Sequence, residues 1–542
     1  MSNRSPSPVI LDCTLRDGGY YNGWDFEESI VRHYLRALTA AGVKVVELGY
    51  RSLPGTDYMG ALGYCTDEYL SRLSLPDSLR IAVMVDAGSL LHAAEGPVAA
   101  IDALFLARSE SRIEIVRVAA HSAALRQCRP MLERLKEKGY FVTLNLMQIT
   151  TLDDDELRDC ATWLSDIECV DVLYFADSLG KLTPTDIAPI VHLLRQGWNG
   201  PLGIHAHDNR GYALANSMMA TEIGVEWVDA TVLGMGRGAG NARTECLLLE
   251  LEQKKQGTYA PDALFGLVFA DFGKLQQKYG WGYNLLYYLS AIYDIHPTYI
   301  QEMLSNARGG TEHLIDIFEY LRSTPSVSFS QAQFSRALAG CSGSGEGTWD
   351  ASGWCEGKDV LIIGAGSSIE RHRDALLEYI KRNSPKVLCL NINRHIPEEL
   401  VTYYVACHRM RLLLEAESYW KVGRPIILPR ENMPASVAPL LENIEVLDYG
   451  VKVSENCFVA GSDGCVIPVP LAFGYALAIA TEGRAKRILL VGFDGYEQGD
   501  PRQQEMLDTL VAYREYSANL DILALLPTTY PVSRTSLYSP WV

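Results

Sequence analysis

Between residues 9 and 236 the chain repeats one pattern eight times: a short β-branched, apolar run, then an amphipathic stretch of helical period. The runs are VILDCTL (9–15), VKVVELGY (43–50), RIAVMVDA (80–87), IEIVRVAAH (113–121), FVTLNLMQ (141–148), VDVLYFADS (170–178), LGIHAHDN (202–209) and WVDATVLGMG (227–236). Parallel strands need a crossover long enough to cover a sheet face, so strands alternating with helices read as a parallel α/β fold. Eight such units over roughly 240 residues is the size of a (β/α)8 TIM barrel, and their even spacing favours closure over an open doubly wound sheet.

A barrel places its chemistry at the C-terminal strand ends, where the βα loops begin. The polar residues fall there repeatedly. Strand 1 runs into Arg16 and Asp17, strand 2 carries Glu47, strand 4 ends in His121, strand 5 holds Asn145, and strand 6 ends in Asp177 and Ser178. Strand 7 supplies His205 and His207, and strand 8 runs into the glycine-rich GMGRGAGNA of 234–242. Residues two apart on a strand share a face, so both imidazoles project to one side. By themselves they are either half of a divalent-metal site or two histidines satisfied by hydrogen bonds. The glycine run is likewise either a phosphate cradle or a tight rim turn. Closure of the barrel makes strands 1, 7 and 8 neighbours, so Asp17 can join His205 and His207 on one ion. Two imidazoles and one carboxylate with open positions suit Mn2+, Mg2+, Co2+, Fe2+ or Zn2+. Arg16, in the same mouth, can fork onto a carboxylate or an enolate. The chemistry implied is aldol or Claisen type at a 2-oxo acid.

These residues belong to an ordered set: LDCTLRDGG (11–19), ELGYR (47–51), VRVAAH (116–121), ADS (176–178), HAHDNRGYALAN (205–216) and VDATVLGMGRGAGNARTE (228–245). The set resembles the pyruvate-dependent class II aldolases, in particular the 4-hydroxy-2-oxovalerate aldolases. These lie within the metallolyase barrels that include hydroxymethylglutaryl-CoA lyase and isopropylmalate synthase. The resemblance covers residues 8–335 and implies a carbon–carbon lyase acting on a 2-oxo acid and an aldehyde, with Mn2+ or Mg2+ as cofactor. It implies Asp17, His205 and His207 as metal ligands, Arg16 facing a pyruvate enolate, and His121 and Ser178 in the substrate pocket. Tyr283 matches an aromatic residue that these aldolases bring in from beyond the barrel. The chain departs from the pattern at Tyr20, where the aldolases carry a histidine base. A tyrosine of ordinary pKa, about 10, is a poor base at neutral pH.

The barrel is expected over 8–255 and a tyrosine-rich helical extension over 256–335. A Gly/Ser-rich linker is expected over 336–357, and a second, Rossmann-like α/β domain over 358–542. In the last, KDVLIIGAGSSIERHRDAL (358–376) reads as strand, glycine turn and helix, and GFDGY (492–496) follows a later strand. This part resembles nucleotide-binding halves of sialyltransferase-like and flagellin-modification proteins, implying a nucleotide or nucleotide-sugar at Gly364, Gly366, Ser367 and Asp494. A plain tight turn is the other reading of the glycines. The two resemblances together imply a link to sugar or surface-glycan metabolism. A Claisen-type acyl-CoA synthase and a glycosyltransferase served by the barrel are the competing functions.

A net charge of −18 argues against nucleic acid as the partner. Twelve scattered cysteines without a CxxC pair point to a reducing compartment. No apolar run approaches the ~18 residues of a membrane span, and no signal peptide is recognised in the first residues. The expectation is a cytoplasmic homo-oligomeric enzyme.

Overall fold

The computed structural model describes residues 7–539 except 56–57, 306–309, 332, 335–336, 338–344, 393–394, 409–411, 413–417, 419–420, 434–437, 442–443, 455, 497–499 and 518–519. The chain forms two compact units. One comprises Met1–Gln301 with Ser326–Ser328, and the other Glu302–Pro325 with Phe329–Val542. The segment expected as one helical extension is therefore shared between them. Among the described residues, no helix is long and apolar enough to cross a membrane.

The first unit is the closed barrel: β1 (Val9–Asp12), β2 (Val45–Tyr50), β3 (Arg80–Asp86), β4 (Ile113–Ala120), β5 (Phe141–Leu146), β6 (Val172–Asp177), β7 (Leu202–Ala206) and β8 (Trp227–Ala230). Every adjacent pair is parallel, and β1 pairs with β8 to close the ring. The outward faces pack on the helices in one continuous apolar core. Inside, the period of two sorts chemistry by height. Leu11, Val45, Ile115, Val172 and Trp227 fill the lower interior. One step up on β2, β4, β6 and β8 stand Glu47, Arg117, Tyr174 and Asp229, all buried. A further step brings Ala119, Asn145 or Met147, Ser178 and His205 with His207 to the mouth.

β1 is shorter than expected. Asp12 accepts from the backbone N–H of Thr14 at 2.9 Å, and this bond turns the chain at once into the helical turn Thr14–Gly18. That turn swings Arg16 and Asp17 over the barrel axis.

The second unit carries β9 (Asp359–Ile363), β10 (Lys386–Leu390), β11 (Tyr403–Val405), β12 (Ile426–Leu428), β13 (Val446–Asp448), β14 (Gly450–Val453), β15 (Val459–Ala460), β16 (Gly464–Ile467), β17 (Arg487–Val491), β18 (Ile522–Ala524) and β19 (Ser533–Arg534). Eight of them make a parallel sheet ordered β13-β12-β11-β10-β9-β17-β18-β19, and β14-β16-β15 form a small mixed sheet. The strand order reverses between β9 and β17, the topological switch point of a doubly wound sheet. Residues 336 and 338–344 of the expected linker lie outside the described residues. Its later part is not linker: Ala351 and Cys355 are buried in the core of this unit, and Trp354 Nε1 donates to the carbonyl of Ile479 at 2.9 Å. The apolar side chains of 349–355 outweigh the glycines around them.

Candidate active site

The mouth of the barrel encloses a cavity of about 330 Å3, lined among others by Arg16, Asp17, Tyr20, His121, Ser178, His205 and His207. Of the site residues that the family resemblance implied, Tyr283 is missing from it, and the strand-end residues Glu47 and Asp177 do not line it either. One ligand atom each of Asp17, His205 and His207 lies within 4.8 Å of the others, all buried. The rings of His205 and His207 stand 5.0 Å apart, nearly perpendicular.

These residues close a ring in which arginines and a histidine alternate with carboxylates. Arg16 Nη1 donates to Asp17 at 2.7 Å, and Arg16 Nε to Glu47 at 2.8 Å. Arg117 donates to the same Glu47 oxygen at 3.1 Å and to Asp229 at 2.6 Å. Asp229 Oδ2 lies 2.9 Å from His205 Nδ1, and His205 Nε2 lies 3.6 Å from Asp17 Oδ2. Arg117 is fully buried, its guanidinium carbon 4.5 Å from the Tyr174 ring centroid. Gly203 makes room for that ring, since a Cβ there would come within 2.5 Å of it.

The electrostatics follow from the ring. Burial alone would raise the Asp17 carboxyl, but Arg16, the two histidines and the Asn241 amide outweigh it and hold Asp17 well below the usual carboxylate range. Burial, opposed by Asp17, takes His207 down to about 3, so its imidazole is neutral at any physiological pH. His207 Nδ1 is buried without a hydrogen-bond partner. A deprotonated carboxylate beside two imidazoles, that of His207 neutral and with an unsatisfied nitrogen, fits a divalent cation. The Asp229 contact to His205 Nδ1 fixes that ring and leaves Nε2 facing Asp17, the carboxylate–histidine arrangement that orients metal ligands.

Around this floor, Ser178 Oγ accepts from the Gln148 N–H at 3.0 Å. The Tyr20 and Tyr50 hydroxyls are 2.8 Å apart. Burial raises Tyr50 well above the ordinary tyrosine range, so Tyr50 keeps its proton. His121 opens the loop after β4, and burial lowers its pKa. No described residue makes a hydrogen bond to its ring.

Tyr283 requires a correction. It is 57% exposed and lies beside Gly211 and Tyr288, outside the cavity. The reason is local: Asn284 caps the next helix by accepting from the Tyr287 N–H at 3.0 Å, which leaves Tyr283 before the cap. The extension instead contributes His296. After helix Leu285–Ile292 the chain reverses at Asp294 (φ 54°), and the His296 N–H donates to the Ser326 carbonyl at 2.7 Å. Its Nδ1 accepts from the Thr298 N–H at 3.4 Å, so Nε2 carries the ring proton. Burial, with Arg237 and nearby histidines, takes it down to about 2. His296, Arg237, Asn241 and Asp229 were not singled out in the sequence. Arg237 and Asn241 sit in the glycine run, and Asp229 shares strand parity with Trp227. His296 has no sequence signal.

The glycine run itself is a rim turn. Gly234, Gly238 and Gly240 all have positive φ, and a Cβ at Gly236 would reach 2.9 Å from Asp17 Oδ2. The turn thus brings Asn241 onto Asp17.

In the second unit, Gly364, Gly366, Ser367 and Asp494 do converge, at the switch point between β9 and β17. The Gly366 N–H donates to the Gly492 carbonyl at 2.9 Å, and the Ser368 N–H and the Ser367 hydroxyl donate to Asp494 Oδ2 at 2.9 and 3.4 Å. The Ser368 hydroxyl bonds Asp494 as well. A carboxylate therefore occupies the donors that a phosphate would use, and the following helix, Ser368–Arg371, is a single turn.

The HMGL-like family matches residues 7–266. The oxaloacetate decarboxylase of Mycobacterium tuberculosis is 28% identical over 278 residues, covering 50% of this chain and 79% of that protein. The 4-hydroxy-2-oxovalerate aldolase 2 of Rhodococcus opacus is 32% identical over 246 residues, covering 45% of this chain and 68% of that protein. A solved HMG-CoA lyase from Brucella melitensis is similar at 16% identity and a TM-score of 0.42, covering 50% of this chain and 99% of that one. The chain belongs to the HMGL-like family, as a carbon–carbon lyase of the metal-dependent pyruvate-aldolase type.

Proposed function

We propose that the barrel makes or cleaves the C3–C4 bond of a 4-hydroxy-2-oxo acid, with Mn2+ or Mg2+ held by Asp17, His205 and His207. The observation that carries this reading is the convergence of those three side chains beneath the cavity, with His207 Nδ1 buried and unpaired. The bound cation supplies Lewis acidity toward the 2-oxo group and its carboxylate. Arg16, fixed by Asp17 and Glu47, faces the oxygen where enolate charge develops. His121 is the general base in place of Tyr20. It is neutral at pH 7 and takes the C4 hydroxyl proton as the C3–C4 pair moves onto the pyruvate half. The aldehyde departs, and C3 regains a proton as pyruvate forms. His296, as the Nε2–H tautomer, is a donor toward the substrate's oxygens.

For the second unit we propose a nucleotide or nucleotide-sugar at the switch point, with Asp494 turning away from Ser368 to admit a phosphate. The support is the placement of the two loops at the reversal of strand order. A link to sugar or surface-glycan metabolism would follow from such a ligand.

The deciding experiment is pyruvate release from 4-hydroxy-2-oxo acids by the chelator-treated protein before and after adding Mn2+ or Mg2+. Activity restored by the ion supports the reading; cleavage unaffected by chelation would overturn it.

A further inference from the structure

Most arginines buried in the barrel have their charge answered. Arg16 is paired at 2.7 and 2.8 Å, and Arg117 at 3.1 and 2.6 Å, with carboxylates in both cases. Arg237, half-buried in the glycine run after β8, has no such partner. It lines the same cavity, no described carboxylate lies within 4.0 Å of it, and its Nε is buried without a hydrogen-bond partner. Its guanidinium carbon stands 5.4 Å from the Tyr20 ring centroid, a contact that orients the cation without neutralising it. The backbone leaves it little choice of place. Gly238 has φ +70°, and a Cβ there would come within 2.9 Å of Pro297. Asp86, the other carboxylate of the lining besides Asp17, is committed to the Ser89 N–H and hydroxyl, each at 2.7 Å. Arg237 is only partly buried, so an anion can reach its terminal nitrogens, while the buried Nε remains unpaired until one completes the fork.

Resting on the aldolase reading above, we propose that Arg237 anchors a second anionic group on the substrate, a carboxylate or phosphate carried by the half that leaves as the aldehyde. The 2-oxo acid's own carboxylate would be met by Arg16 and by a cation held by Asp17, His205 and His207, which leaves Arg237 for a second anion. Arg237 shares its side of the cavity with His121 and His296, whose imidazoles its charge helps keep neutral. The planar fork matches either anion in bidentate fashion. Arg237 is thus a specificity-determining residue, selecting acceptors by charge.

The test uses the full chain loaded with Mn2+ and follows pyruvate release from three substrates. These are 4-hydroxy-2-oxopentanoate with a neutral tail, 4-hydroxy-2-oxoglutarate with a carboxylate, and the pyruvate adduct of glyceraldehyde 3-phosphate. The wild-type protein should favour one anionic substrate over the neutral one by about tenfold or more in kcat/KM. In Arg237→Met that ratio should fall to about one, and in Arg237→Lys it should be partly kept, in line with the ~10–150-fold worth of a charged hydrogen bond. The carboxylate and phosphate arms identify which anion is used. Calorimetric titration of malonate into the wild-type and Arg237→Met proteins reads the same site without turnover, with binding about tenfold weaker in the variant. A ratio unmoved by the substitution, or an equal loss on all three substrates, overturns the anchor and leaves the aldolase reading standing. Pyruvate from none of the three overturns both.

Discussion

The barrel mouth and the switch point of the C-terminal sheet obey the same rule, loops opening from the C-terminal ends of parallel strands, but they treat their polar groups in opposite ways. At the mouth, His207 Nδ1 and Arg237 Nε are buried with no partner, and the His121 ring projects into the cavity. At the switch point Asp494 takes the Ser368 amide and both serine hydroxyls. Fold-level position marks where a ligand can sit. Donors and acceptors left unsatisfied mark where one is needed, because burying them unpaired costs free energy that only a ligand returns.

The largest effect that would test this contrast is at the floor of the barrel. Asp17→Asn removes the carboxylate charge that would hold a cation beside His205 and His207. Metal content, read by elemental analysis after gel filtration in Mn2+, should fall from about one per chain to near zero. Pyruvate release should drop by about a thousandfold, as when a developing charge loses its stabiliser. Full metal occupancy in the variant would mean that the three side chains are not the site.

Next in size is Arg117→Met. The substitution leaves Glu47 short of one cation and Asp229 with His205 alone, in a ring otherwise closed and dry. Breaking such buried pairs costs about 3–5 kcal/mol, read as a lower urea midpoint for the barrel. Because Asp229 orients His205, Mn2+ affinity should also fall by about 10–100-fold. Stability lost with unchanged metal affinity would show that the ring supports the fold but not the ligands.

How much of this could be read from sequence depended on periodicity. The eight strands and the inward parity of His205 and His207 follow from residue type and spacing, so the barrel and the shared face of the two histidines were legible. Asp17 was legible because closure makes β1 and β7 near neighbours. Arg117 shares the inward parity of Ala119, but a charged residue in a strand centre reads equally as a solvated face until Glu47 and Asp229 are seen to flank it. His296 could not be found, since its place depends on a reversal at Asp294 and a backbone bond to Ser326 thirty residues on. The Tyr283 expectation failed for the same reason: a helix cap at Asn284 decided which residue of the extension turns inward. In the second unit, β13 to β16 and β18 to β19 are two to four residues long, too short for alternation to register.

A more modest effect is expected at His121. His121→Gln keeps a polar side chain of similar reach but cannot accept a proton at pH 7, and kcat should fall about a hundredfold. The pH profile adds a sign. A base acts when deprotonated, and burial lowers the pKa of His121 below 6.5. The wild-type rate should therefore rise with pH on a limb whose midpoint lies under 6.5 and be flat at neutrality. That limb should vanish in the variant when metal is saturating. A limb that survives the substitution would move the base to another group, with His296 the first to examine.

The smallest effect returns to the switch point. There the carboxylate of Asp494 stands on donors suited to phosphate, so the site as built repels the ligand that its loops would otherwise accept. Asp494→Ala removes both the charge and the competitor. If Asp494 acts as a plug, nucleotide binding measured by calorimetry should tighten by about tenfold, the worth of one charge-assisted hydrogen bond released. If Asp494 instead receives a ligand's hydroxyls, as acidic residues of doubly wound sheets receive a ribose, the same substitution should weaken binding by a similar factor. The direction of the change separates a closed phosphate cradle from a hydroxyl-binding crevice. It thereby decides whether the two units differ in chemistry or only in whether their donors are already satisfied.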